Sequence, residues 1–177
     1  MERLASGIEE LDLVLGGGLE PGSLVVLAGA PGTGKTVLAQ QICFASATPE
    51  RRAIYYTTLS EPHSKLIRHL EPFSFFAPDA LESSVEFIHL GDLLLQENGG
   101  GLGTVVSEVV NKCFETNPAV VVIDTAKALQ VFADDRSLRA AYYELASRVA
   151  HTETVLVLVG EYAPEDIEHS VEFALEP

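Results

Sequence analysis

LVVLAGAPGTGKTVLAQQ, Leu24 to Gln41, joins three kinds of sequence: an apolar run, a glycine-rich turn ending in a lysine and a threonine, and a helix-forming stretch. Gly29-Ala30-Pro31-Gly32-Thr33-Gly34-Lys35-Thr36 satisfies G-x-x-x-x-G-K-[ST] in full. The strand-like run before it and the helical pattern after it are the context that such a phosphate loop requires. The glycines let backbone N–H groups turn inward around an anion. The helix that opens at Lys35, Thr36 and Val37 adds unpaired N–H donors and the positive end of a helix dipole. Lys35 supplies a point charge for β- and γ-phosphates, and the Thr36 hydroxyl a ligand for Mg²⁺. Gly29 to Val37 is thus the expected nucleotide-binding segment.

AVVVIDTAKAL, Ala119 to Leu129, has the complementary form: an aliphatic run that ends in Asp124. An aspartate at the carboxyl end of a buried parallel strand faces the crevice where open α/β sheets bind ligands. Beside a phosphate loop its natural partner is Mg²⁺, directly or through water. Alone, such an aspartate would equally suit a turn or a helix cap. Paired with Gly29–Thr36, it completes the nucleotide and metal half of a phosphoryl-transfer site.

The rest of the chain fits around this pair. Apolar runs at Leu24–Ala28, Ala53–Thr58, Val85–His89, Val120–Asp124 and Thr154–Gly160 read as strands, several without alternation, as for strands buried on both faces. Helical patterns run from Lys35 to about Ala47, His63 to about Leu70, Thr104 to about Glu115 and Ser137 to about His151. The third places Val106, Val109, Val110 and Cys113 on one face, and the fourth Leu138, Tyr142, Leu145 and Val149. ENGGGLGT, Glu97 to Thr104, reads as a loop into the third long helix. The alternation predicts an α/β fold, a mostly parallel sheet with helices on both faces.

The 177 residues, 47% of them apolar and 21% charged, suit one soluble domain with a sizeable core. No apolar run approaches a membrane span, and MERLASGIEELD lacks the pattern of a signal peptide. Cys43 and Cys113 have no metal-ligand spacing and read as buried thiols in a reducing cytoplasm. The five histidines likewise show no ligand spacing, and FSFF at Phe73–Phe76 reads as a satellite of the core. The formal net charge of −15 opposes nucleic-acid binding, which needs cationic surface to displace phosphate counterions.

With these residues in place, SGIEELDLVLGGGLEPGSLVVLAGAPGTGKTVLAQQICF, Ser6 to Phe44, resembles the start of a KaiC-type domain in the RecA/RadA superfamily of P-loop ATPases. The short N-terminal helix, the LGGGL turn at Leu15–Leu19 and PGS before the strand narrow the choice to this branch. The resemblance continues through AIYYTTLSEPHSKLIRHL, Ala53 to Leu70, and the Asp124 strand to VLVLVGEY, Val155 to Tyr162. It implies a RecA-like core over residues 1–177, with Ile8–Leu19 packed beside the nucleotide strand. It also implies ATP and Mg²⁺ as ligands, and a homo-oligomeric ring or a regulatory protein as partner.

The family places adjacent glutamates after the second strand, where this chain has Thr58-Leu59-Ser60-Glu61-Pro62. Ser60 replaces the first and Glu61 remains. By this resemblance Glu61 orients and deprotonates the attacking water. The plainer alternative is a helix-start carboxylate beside Pro62, with Glu161 as the next candidate base. The family also continues into strands whose Lys and Arg reach a neighbouring subunit's site, whereas this chain closes on SVEFALEP. Arg136 and Arg139 are conceivable substitutes but read more simply as surface charge. Slow hydrolysis is therefore expected. Two functional classes stand: an ATPase coupling Mg-ATP to conformational or oligomeric change, and a regulatory module that binds nucleotide and barely hydrolyses it. A DNA recombinase ranks behind both, because no basic stretch follows Asp124 or Glu161.

Overall fold

The computed structural model describes residues 2–57, 63–81, 83–94, 101–125, 129–130 and 133–162. Five parallel strands form one sheet: β1 (Leu24–Gly29), β2 (Ala53–Thr57), β3 (Val85–His89), β4 (Val120–Asp124) and β5 (Val155–Glu161), in the order β1-β5-β4-β2-β3. The helices are α1 (Glu9–Val14), α2 (Lys35–Ser46), α3 (His63–Leu70), α4 (Leu90–Leu94), α5 (Leu102–Thr116) and α6 (Asp135–Val149).

Successive side chains of a strand point to opposite faces, and here each face has its own apolar layer. Ile54, Tyr56, Val121, Ile123, Leu156 and Leu158 pack with α5 and α6. The intervening residues, including Ala53, Tyr55, Val120, Val122, Val155 and Val157, pack with Ala39, Ile42 and Cys43 of α2. The helical faces read from the sequence are the ones buried: Val106, Val109, Val110 and Cys113 on α5, and Leu138, Tyr142, Leu145 and Val149 on α6.

The two outer strands depart from burial on both faces. Every residue of β1 is only half-buried, and so are four of the five in β3, because each has a neighbouring strand on one side only among the described residues. Other boundaries shift as well. The sequence places the start of the third long helix at Thr104, whereas α5 begins two residues earlier at Leu102 and takes Gly103 into its first turn. The fourth long helix starts at Asp135, two residues early, because the Asp134 carboxylate accepts the Ser137 N–H at 2.8 Å and caps it. The short helix α4 follows β3 without a break and was not anticipated.

The opening segment is fastened to α2. Leu4 and Leu19 exchange backbone hydrogen bonds of 2.8 Å, closing the chain around α1 and the glycine turn. Gly18 has φ +120°, and a Cβ there would lie 2.4 Å from the Leu4 carbonyl oxygen, so this turn requires glycine. Gln41 of α2 donates to the Gly7 carbonyl at 2.8 Å, and Leu19 joins the α2-side apolar layer. Phe75 and Phe76 pack on Phe44 at the end of α2, with ring centroids 6.0 and 5.5 Å apart, as a satellite of that layer.

Candidate nucleotide-binding site

Strand β1 delivers the glycine loop and β4 delivers Asp124, yet the two are not neighbours: β5 runs between them. The loop must therefore reach across β5, and its backbone is built for that. Gly32 and Gly34 adopt φ of +79° and +87°, left-handed values that favour glycine, and Gly34 is the residue from which α2 springs. The loop is braced from within. Thr33 Oγ1 donates to the Ala30 carbonyl at 2.9 Å, and the Lys35 ammonium donates to the same oxygen at 2.8 Å. The Tyr162 N–H, just past β5, donates to the Gly29 carbonyl at 3.1 Å and ties the loop's start to the strand it crosses.

The crossing is completed by side chains. Thr36 Oγ1 donates to Asp124 Oδ2 at 2.9 Å, linking residues 88 positions apart. Tyr55 of β2 donates its phenolic proton to the same oxygen at 2.5 Å. Around this junction lies a cleft of about 440 Å³, whose lining includes Gly32, Lys35, Thr36, Thr57, Asp124 and Glu161. A second, mostly apolar chamber of about 230 Å³ adjoins it; Thr36, Val37, Thr57 and Asp124 border both.

The donor set fits Mg²⁺. A hydroxyl has one proton and two lone pairs. Thr36 spends its proton on Asp124 and keeps its lone pairs for a cation. Mg²⁺ favours oxygen ligands and is commonly held by one or two carboxylates together with substrate phosphates rather than by an all-protein cage. Among the described residues no three His, Cys, Asp or Glu gather into a metal cluster. Cys43 and Cys113 are free and buried, and burial pushes the Cys113 thiol up to about 11, so neither supplies a thiolate ligand.

Of the expected site residues, Gly32, Gly34, Lys35, Thr36, Val37 and Asp124 line one cleft. Gly29, Ala30 and Thr33 form its internal bracing. Pro31 is exposed within the loop. Glu61, with Ser60 beside it, lies outside the described residues; Glu161 stands at the mouth of the cleft. Arg136 and Arg139 are exposed in the first two turns of α6, and neither borders the cleft. Tyr55 escaped sequence reading, where it was only a strand residue. Its spacing of two from Thr57, the residue paired with Asp124, would have flagged it once β2 and β4 were known to be neighbours.

A phosphate loop and a strand-end aspartate, separated by one strand of a parallel sheet, define a RecA-like P-loop core. The family model described as "ATPase: KaiC" matches residues 4–176, and the chain belongs to that family. It is similar to the DNA repair protein RadA of Mycobacterium tuberculosis, with 28% identity over 194 residues, spanning 96% of this chain and 35% of RadA. RadA of Pseudomonas aeruginosa is 51% identical over 59 residues, 32% of this chain and 12% of that protein. The UPF0273 protein MK0039 of Methanopyrus kandleri is 35% identical over 75 residues, 42% of this chain and 29% of its own length. The chain thus spans about a third or less of each of these relatives. Among the described residues no helix is long and apolar enough to cross a membrane.

Proposed function

We propose that the chain binds Mg-ATP at Gly29–Val37 and hydrolyses it slowly, so that the nucleotide state drives a conformational or oligomeric change in a regulatory role. The observation that carries this reading is the 2.9 Å hydrogen bond from Thr36 to Asp124, which unites the phosphate loop with the strand-end carboxylate. Backbone N–H groups of the loop and of the first turn of α2 would hold the phosphates, and Lys35 would exchange its Ala30 contact for phosphate oxygens. Thr36 and Asp124 would hold the magnesium ion, which supplies charge neutralisation at the transferring phosphoryl group. Glu61 is the proposed base that orients water, with Glu161 the alternative. Two buried, free cysteines suit a cytoplasmic setting, and a ring of identical chains or a regulatory protein is the proposed partner.

Two other readings have support. Ser60 in place of a second carboxylate favours a module that binds nucleotide and barely turns it over. Kinship with proteins named for DNA repair favours a role linked to DNA.

Thermal unfolding tests the central claim. A ligand that binds only the native state stabilises it by about 2.7 kcal/mol at a hundred times its Kd. Mg-ATP should raise the melting temperature of the wild type, and Lys35→Ala should lose most of that shift. Equal shifts in both proteins would remove the assignment.

A further inference from the structure

We propose that Tyr55 is a positioning residue for the metal-binding carboxylate: its phenol, anchored in the core, fixes Asp124 from behind and aims the carboxylate at the cleft. The inference rests on the Mg-ATP reading above and deepens it.

Three observations converge. The first is contact. The phenol donates to Asp124 Oδ2 at 2.5 Å, at the short end of the range for a hydroxyl on a carboxylate. Thr36 donates to the same oxygen, and no hydrogen bond holds Oδ1 among the described residues. One oxygen, Oδ2, is thus held by two donors from two different elements.

The second is direction. Asp124 and Thr36 border both the cleft and the apolar chamber, whereas Tyr55 borders the chamber alone. The phenol thus reaches the carboxylate from the apolar chamber beneath α2, which Gly32, Gly34 and Lys35 of the loop do not border. Strand register explains the geometry. Tyr55 pairs with Val122, and Thr57 pairs with Asp124. The ring lies on the same face as Asp124, one pleat back, and its length carries the hydroxyl forward to the strand end.

The third is rigidity. Tyr55 is 2% exposed and sits among Ala39, Ile42 and Cys43 of the α2-side layer, with its ring centroid 5.0 Å from that of Phe87. A donor fixed by packing spares the carboxylate the entropy of finding its orientation when the cation arrives.

The test is Tyr55→Phe, which deletes one hydroxyl and keeps the ring, read by titrating Mg²⁺ against nucleotide binding in the full chain. The half-saturating Mg²⁺ concentration should rise about three- to tenfold, the worth of one net hydrogen bond. ATP affinity in EDTA should not change. Phe87→Leu, which loosens the packing and leaves the phenol, should lower the melting temperature and raise the Mg²⁺ requirement by less than Tyr55→Phe does. Identical Mg²⁺ titrations for Tyr55→Phe and wild type would overturn the inference while leaving the Mg-ATP site intact. A loss of affinity equal in EDTA and Mg²⁺ would make Tyr55 a packing residue and overturn it too. Failure of the wild type to bind nucleotide more tightly with Mg²⁺ would overturn both the inference and the reading beneath it.

Discussion

Lys35 shows how the loop manages a cation before a phosphate arrives. Its ammonium rests on the Ala30 carbonyl at 2.8 Å, a neutral acceptor that an anionic phosphate oxygen outcompetes by adding direct charge–charge attraction. Asp124 faces the reverse problem. It is a carboxylate bordering the proposed polyanion site, and a divalent cation between the two would offset their repulsion. Asp124→Asn should therefore raise the Mg²⁺ concentration needed for ATP binding about 10- to 100-fold, the usual consequence of losing a group that supports a metal. Affinity in EDTA should hold or improve, since a negative charge has gone. Equal ATP affinity with Mg²⁺ and with EDTA in the wild type would contradict a metal role for Thr36 and Asp124 alike. In the proposed reaction, hydrolysis separates from binding at a third carboxylate. Glu61→Gln should leave ATP affinity near wild type and cut turnover about 10²- to 10⁴-fold, the worth of a positioned general base. Turnover unchanged in Glu61→Gln and lost in Glu161→Gln would transfer the role to the residue at the end of β5.

At the scale of elements, the helices owe their placement to single apolar faces, and these are what a sequence displays best. Leu145, 1% exposed on α6, belongs to the face read from 3.6-residue spacing; Leu145→Ala should destabilise the fold by about 2–5 kcal/mol in denaturant unfolding with little change in nucleotide affinity. The start of α6 was less legible. Its cap sits outside the periodic pattern, and Asp134, Asp135 and Ser137 all resemble cap residues until the Ser137 N–H chooses Asp134. Hydrogen bonds from Ser137 hold the Asp134 carboxyl below its ordinary 3.8. A depressed folded value means the contribution is present at higher pH and fades as pH falls below 3.8 through the lowered value. Asp134→Asn should keep the cap near neutrality and lose that acid sensitivity, whereas Asp134→Ala should lower the melting temperature at neutral pH. The glycine loop and Asp124 were legible because their chemistry is local: each needs only a strand end and a few specific residues. The half-exposed edges β1 and β3, and the hold of Tyr55 on Asp124, were not, because both follow from the order β1-β5-β4-β2-β3. Strand order depends on how the layers pack, and no short window of sequence records it.

For the molecule as a whole, charge and kinship point in different directions. The chain resembles proteins named for DNA repair, yet it carries 26 acidic residues against 11 Lys and Arg. Two of those cations, Arg51 and Arg52, are tied to Glu153 and Glu86 at 3.5 Å on the sheet's rim, and Arg3 faces Glu20 at 3.7 Å. Arg136 and Arg139 are exposed, but they share the first turns of α6 with Asp134 and Asp135, so their field is largely offset at the surface. Affinity for a duplex comes chiefly from cations that release condensed counterions, and a protein making 6–10 phosphate contacts loses about 10³- to 10⁵-fold in affinity between about 50 and about 200 mM salt. A chain of formal net charge −15 has few cations to spend on such contacts and should repel the polyanion at long range. Fluorescence anisotropy with labelled single- and double-stranded DNA should accordingly show no sub-micromolar binding at physiological salt, with or without Mg-ATP. Lowering the salt should lengthen the Debye screening distance and expose repulsion rather than attraction. Sub-micromolar binding that weakens steeply with salt would reveal a cationic surface formed only on assembly, and would restore the DNA-linked reading to first place. Weak binding independent of salt would mean contact without phosphates, through bases stacked on exposed aromatic rings such as Tyr143, which is 67% exposed.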